Sequence, residues 1–182
     1  MKKILFLGLL AFSACRELTD INVNPNNATT THPQALLTKV EWDAFQAFRG
    51  TGPLYVQKML VQTDGENAGQ IYNWQRGSFD EYDRLRNVEK MIEEAKRIND
   101  PTYQALGQFF RAYYFYNLTL RFGDIPYSEA LKGESAQVFT PKYDTQQEVL
   151  TGLLSELKEA EETLSANPAV ISGDIIYGGS NT

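Results

Sequence analysis

Apolar residues in this chain return every third or fourth position and hardly ever at alternate ones. Leu36, Val40, Ala44 and Phe48 step by four, with Leu37 and Phe45 widening the stripe. Leu85, Val88, Ile92 and Ala95 step by three or four with charges on the far side, and Leu150, Leu153, Leu157, Ala160 and Leu164 form a similar series opposite Lys and Glu. At 100° per residue each set falls on one face of a helix, so the spacing predicts amphipathic helices and leaves almost nothing for a sheet. Residues 170–177 alone leave room for one short strand. The fold class that follows is all-α.

The breaks between the stripes divide the chain. Pro33, with Thr31 or His32 as cap, opens a first helix that ends near Gly50. A second is expected from Pro53 to Thr63 through Leu54, Val56, Met59 and Leu60, and a third from Phe79 to Ile98. Asp100-Pro101 is an N-cap carboxylate followed by a first-turn proline. The fourth helix then runs to Phe122, where Gly123 offers a left-handed stop and Pro126 prevents continuation. Residues 124–143 read as a connector, and Asp144 with Gln147 as the capping-box start of a last helix. That gives about five helices in antiparallel pairs, the third and fourth joined tightly enough to form an αα-hairpin. Tyr103, Leu106, Gly107 and Phe110 fit the frame of a tetratricopeptide helix, though no second copy follows at the repeat spacing.

The ends carry different information. Lys2-Lys3, the apolar run Ile4 to Phe12 and the small pair Ser13-Ala14 form a leader too short to span a bilayer, which needs about 20 apolar residues. Because Cys15, the only cysteine, follows directly, the leader resembles a bacterial lipoprotein signal, with Phe12 where that pattern prefers Leu. The resemblance implies cleavage before Cys15 and lipid on its sulfur; an ordinary secretory leader with an unpaired thiol just past it is the alternative. Loss of residues 1–14 removes Lys2 and Lys3 and takes the net charge from −6 to −8. Such an acidic chain argues against a nucleic-acid partner, which needs clustered Lys and Arg. With one cysteine no internal disulfide forms, so the fold rests on its apolar core. Residues 16–32, with Asn22, Asn24, Asn26 and Asn27 around Pro25, read as a tether, and residues 166–182 lapse into an irregular tail.

Catalysis finds little support. His32, the only histidine, reads as a solvated linker residue or helix-start neighbour. Glu93-Glu94 and Glu161-Glu162 are consecutive on helices and point about 100° apart, so neither pair can flank a glycosidic bond as acid and base. Phe109, Phe110, Tyr113, Tyr114, Tyr116 and Phe122 surround nearly the whole of one helix, a pattern that predicts burial on all sides. Arg111 among them is expected to stretch to the surface or to pair with a carboxylate such as Asp124.

The stretch Phe110-Arg111-Ala112-Tyr113-Tyr114-Phe115, followed by Phe122-Gly123-Asp124-Ile125-Pro126, resembles the signature of the SusD/RagB family of outer-membrane lipoproteins. Asp20 to Asn27, Asp80 to Arg97 and Tyr143 to Val149, running on to Leu164, agree in order and spacing. The resemblance implies an all-helical, tetratricopeptide-like fold, of which this chain is the N-terminal portion and incomplete, with an apolar face that has lost its cover. It divides the chain into leader (1–14), lipidated tether (15–32), helical region (33–165) and tail (166–182). It implies a cell-surface protein without cofactor that captures an oligosaccharide and works with a SusC-like TonB-dependent transporter. A helical-repeat scaffold for a protein partner is the alternative. The loop between the second and third helices holds the chemistry a sugar needs. Trp74 and Tyr72 offer aromatic faces, and Asp64, Asn67 and Arg76 offer partners for hydroxyls. The competing reading has Trp74 plug the helix pair while the others stay solvated.

Overall fold

The computed structural model describes residues 30–46, 50–73 and 76–180. The chain divides into two units, residues 1–31 and 32–182, and the elements below belong to the second. Cys15, Phe48 and Trp74 lie outside the described residues.

Helix α1 (Pro33–Gln46) starts at the expected proline. His32 sits just before it, its Nδ1 accepting the Gln34 N–H at 3.2 Å and its carbonyl accepting the Ala35 N–H at 3.0 Å. The lone histidine is thus a helix-start neighbour, taking up N–H groups that a first turn leaves open. Leu37, Val40 and Ala44 are buried, whereas Phe45 on the flank of the stripe is exposed.

Helix α2 is the largest departure from the periodicity. It spans only Gly52–Val56, not Pro53 to Thr63. Lys58 adopts a positive φ of 60°, and the chain closes with Lys58 N–H on the Tyr55 carbonyl (3.1 Å) and Met59 N–H on the Leu54 carbonyl (2.9 Å). Those two bonds make a Schellman stop with lysine in the place glycine usually takes. Met59 and Val61 remain exposed, so no burial draws the helix onward.

Helices α3 (Glu81–Arg97) and α4 (Pro101–Phe122) form the hairpin. Leu85, Val88, Ile92 and Ala95 are all buried, joined by Met91. Asn99, at φ 57°, makes the second Schellman stop, with Asp100 N–H on the Ala95 carbonyl at 2.9 Å. Asp100 then caps α4 through Thr102 and Tyr103 N–H groups at 3.0 and 3.3 Å. The two helices approach closely at Gly107, where a Cβ would stand 2.4 Å from Ile92 Cγ1. Helix α4 packs against α1, α3 and the last helix, and its Phe110, Tyr114, Phe115 and Leu118 form the middle of the core. Burying one such side chain contributes about 1.5–3 kcal/mol. It is not buried all round, however. Phe109, Tyr116 and Leu120 lie on one exposed face, because the described helices cover only the other sides.

After Gly123 the connector, including the short α5 (Gly133–Ala136), folds back on a single antiparallel bridge between Ile125 and Asp144. Helix α6 (Gln146–Ala166) is capped by Thr145 and Glu148, one residue later than expected. Asp144 is unavailable as a cap because its carboxylate already holds the connector, accepting Tyr127 N–H (3.1 Å), Ser128 N–H (2.7 Å) and Ser128 Oγ–H (2.9 Å). Gly152 gives Tyr127 room, since a Cβ there would lie 2.6 Å from its hydroxyl. Of the α6 stripe, Leu153 and Ala160 are buried with Val149, while Leu157 is partly exposed. Residues 170–177 form no strand. They turn back instead, with Ile171 N–H on the Gly179 carbonyl at 3.0 Å.

Candidate functional site

Between α2 and α3 the chain builds a small closed turn. Asn67 Oδ1 accepts the Gly69 and Gln70 N–H groups at 3.0 and 3.2 Å, a side-chain cap. One helical turn follows and stops at Tyr72, whose φ is 57°, with Asn73 N–H on the Ala68 carbonyl at 2.9 Å. The turn rests on α2: a Cβ at Gly69 would lie 3.3 Å from Val56 Cγ2, and Tyr72 donates its hydroxyl to the Val56 carbonyl at 3.0 Å. Gln70 Oε1 accepts the Gln62 N–H at 2.8 Å and ties the approaching segment down.

The residues expected from the sequence therefore occupy different places. Asn67 and Tyr72 belong to one turn, Asn67 spending its Oδ1 on the backbone of that turn and Tyr72 its hydroxyl on the backbone of α2. Asp64 precedes it, exposed, accepting the Thr63 hydroxyl at 3.3 Å, and Arg76 follows it, also exposed. Trp74 is outside the described residues. Lys58 was not legible as part of this group, yet its Nζ stands 4.1 Å from the centre of the Tyr72 ring. The left-handed turn that places it has no sequence signature. The cation thus covers one face of an exposed tyrosine ring.

A second polar surface lies between α4 and α6, an open groove of about 410 Å³ lined by Gln104, Gln108, Glu159, Glu162, Thr163 and Asn167. Gln108 Nε2 donates to Glu159 within it at 3.3 Å. Its lining includes no aromatic side chain.

Arg111 is internal and its partners differ from the one expected. It joins Glu89 on α3 (2.7 Å) to Glu156 on α6, while Asp124 accepts the Gln146 N–H at 2.9 Å. The guanidinium also lies 4.8 and 4.9 Å from the ring centres of Phe115 and Tyr127. Burial alone would weaken its charge, but Glu156 and Glu89 outweigh that and hold it protonated. Tyr127 donates to the same Glu156 oxygen at 2.5 Å, and burial followed by that bond pushes its hydroxyl up to about 12. The motif arginine is a rivet between three elements.

Among the described residues no cluster of three or more His, Cys, Asp and Glu side chains is arranged to hold a metal ion. None of their helices is long and apolar enough to cross a membrane.

Comparison with known proteins places these features. No curated protein matches. Residues 25–182 match the SusD-like family model described as starch-binding and associating with the outer membrane. A SusD homologue of Bacteroides fragilis NCTC 9343 is 57% identical with a TM-score of 0.73, the match covering 83% of this chain and 32% of that one. An outer membrane protein of Bacteroides vulgatus ATCC 8482, for which a nutrient-binding role has been suggested, is 49% identical with a TM-score of 0.71 over 82% of this chain and 32% of its own. A second Bacteroides fragilis SusD homologue is 32% identical at a TM-score of 0.70, with the same coverage. The chain thus spans about a third of the length of the solved structures it matches. With the family model covering residues 25–182 and the hairpin and connector in place, the chain belongs to the SusD-like family.

Proposed function

We propose that this chain is the N-terminal portion of a non-catalytic, cell-surface protein that captures an oligosaccharide and passes it to a SusC-like TonB-dependent transporter. The observation that carries the reading is the match to a family described as starch-binding and outer-membrane-associated, at 57% identity to one SusD homologue. Residues 1–14 would be removed, and lipid on Cys15 would hold the body through the tether 15–32. Several acyl chains anchor durably where a single one holds only marginally. Ligand contact is assigned to the loop from Asp64 to Arg76, with Trp74 and Tyr72 as stacking faces and Asp64, Asn67 and Arg76 as hydroxyl partners. No bond is broken in this work.

Affinity electrophoresis in gels containing candidate polysaccharides tests capture. Trp74→Ala should lower retardation at least tenfold in apparent affinity, and Arg76→Ala less. Unchanged retardation by Trp74→Ala in a folded protein removes the loop from the site. A second reading, a helical scaffold for a protein partner, draws on the exposed Phe109, Tyr116 and Leu120 of α4. It gains if the protein ignores every glycan and still co-purifies with a transporter.

A further inference from the structure

The segment after α6 folds back across α1 and α4 through three hydrogen bonds. Thr38 donates its hydroxyl to the Gly173 carbonyl at 2.7 Å, and Tyr103 donates to the Ser172 carbonyl at 2.6 Å. Glu41 accepts the Ile175 N–H at 2.8 Å, and Ile171 is buried beneath. Asp174 organises the far side, accepting Ile176, Tyr177 and Gly179 N–H groups at 2.8, 2.9 and 2.9 Å. A Cβ at Gly173 would stand 2.5 Å from the Gln34 carbonyl oxygen, so the segment lies hard against α1.

Two carboxyl groups meet in this contact. Glu41 is 5% exposed and faces Asp174 within hydrogen-bonding reach. On α1 the neighbouring charges Lys39 and Asp43 pair with each other, and the His32 ring stands 6.0 Å from that of Tyr103. On α4 the facing titratable group, Tyr103, is bonded to Ser172. Glu41, buried beside a second carboxyl group, does not readily ionise; one of the pair keeps a proton and donates it to the other. We infer that residues 171–180 form a proton-operated clasp on α1, in which one proton shared by Glu41 and Asp174 holds the segment down and its loss lets the segment lift.

Burial, opposed by the Ile175 N–H bond and aided by the Asp174 charge, pushes Glu41 from 4.5 up to about 7. For Asp174, burial acts upward but is offset by the three N–H groups and the Glu41 proton, which hold it below its ordinary value of 3.8. The raised Glu41 contributes stability that is full below 4.5 and lost as the pH rises through about 7. The lowered Asp174 contributes stability present above 3.8 and lost below it. The clasp is therefore tightest in mildly acidic solution and slackens toward neutrality. A carboxyl that ionises at about 7 docked and 4.5 free weakens docking by roughly two orders of magnitude over that range. Val170, Ile175, Ile176 and Tyr177 point outward on the docked segment, so lifting it moves an apolar edge.

Residue-resolved hydrogen exchange on the whole chain, corrected for the intrinsic pH dependence of exchange, tests this. Protection of the Ile175, Ile176, Tyr177 and Gly179 amides should fall about a hundredfold between pH 5 and pH 8. Glu41→Gln keeps a neutral donor and acceptor in place and should abolish the fall. Equal slopes in the two proteins, or a flat profile in the wild type, overturn the clasp. If Glu41→Gln does not fold, the Glu41 carboxyl ¹³C shift in the wild type decides: titration near 7 supports the proposal, and titration near 4.5 sinks it.

Discussion

Asp144 and Asp174 stand on either side of α6 and do the same work with opposite company. Each is a carboxylate that collects backbone N–H groups, Asp144 from a connector 16 and 17 residues earlier and Asp174 from the turn it belongs to. Asp144 gathers Tyr127 and Ser128 and has Lys142 Nζ at 2.9 Å. Asp174 gathers Ile176, Tyr177 and Gly179 and has the Glu41 carboxyl beside it. Burial works against the Asp144 charge, but Ser128, Lys142 and Tyr127 override it and take the group down to about 2. The connector pin thus holds from above 3.8 upward and fails only as the pH falls through about 2. The clasp slackens in the other direction. A chain without disulfides can fasten loops permanently or conditionally by the choice of one neighbouring charge.

The largest effect should come from the permanent pin. Asp144→Ala leaves the Tyr127 and Ser128 N–H groups without their acceptor at a site 4% exposed, and should cost about 3 kcal/mol in urea denaturation at pH 7. Asp174→Ala should cost about 1 kcal/mol, because its turn is partly open and water can replace the lost acceptor. It should lower Glu41 only part of the way, because burial is the first cause of its rise, and so reduce the slope between pH 5 and pH 8 without removing it. Equal costs at the two sites would erase the distinction between pin and clasp.

The difference between these regions also explains what the sequence disclosed. The α3–α4 hairpin was legible because its apolar spacing and the Asp100-Pro101 start are local signals that its packing reinforces. Both pins were not. Asp144 looked like a helix cap, and its real targets lie 16 and 17 residues earlier. Glu41 drew no notice because a glutamate on an apolar face has no periodic signature, and its acceptor role faces a segment 134 residues away. Arg111 was seen to want a carboxylate, but Glu89 and Glu156 reach it only through helix packing. The candidate loop was found by its lack of period. Its closed Asn67–Tyr72 turn was hidden, since side-chain caps and left-handed residues such as Lys58 and Tyr72 are chosen by the fold around them.

The smallest expected effect is the most discriminating. Lys142→Glu places an acidic neighbour beside Asp144, as Glu41 stands beside Asp174. Lys142 is 60% exposed, and an exposed pair is screened by water and salt, so stability at pH 7 should hardly move. The acid limb should shift instead: Asp144 loses its Lys142 bond, its carboxyl rises from about 2, and the loss of stability on acidification begins at higher pH. Acid-unfolding curves followed by circular dichroism measure this directly. No slope should appear between pH 5 and pH 8, because the first cause of the Glu41 rise is burial and position 142 is open to solvent. A neutral-range slope in Lys142→Glu would mean that like charge alone makes a clasp. Its absence would leave burial as the property that converts a fixed pin into one worked by protons.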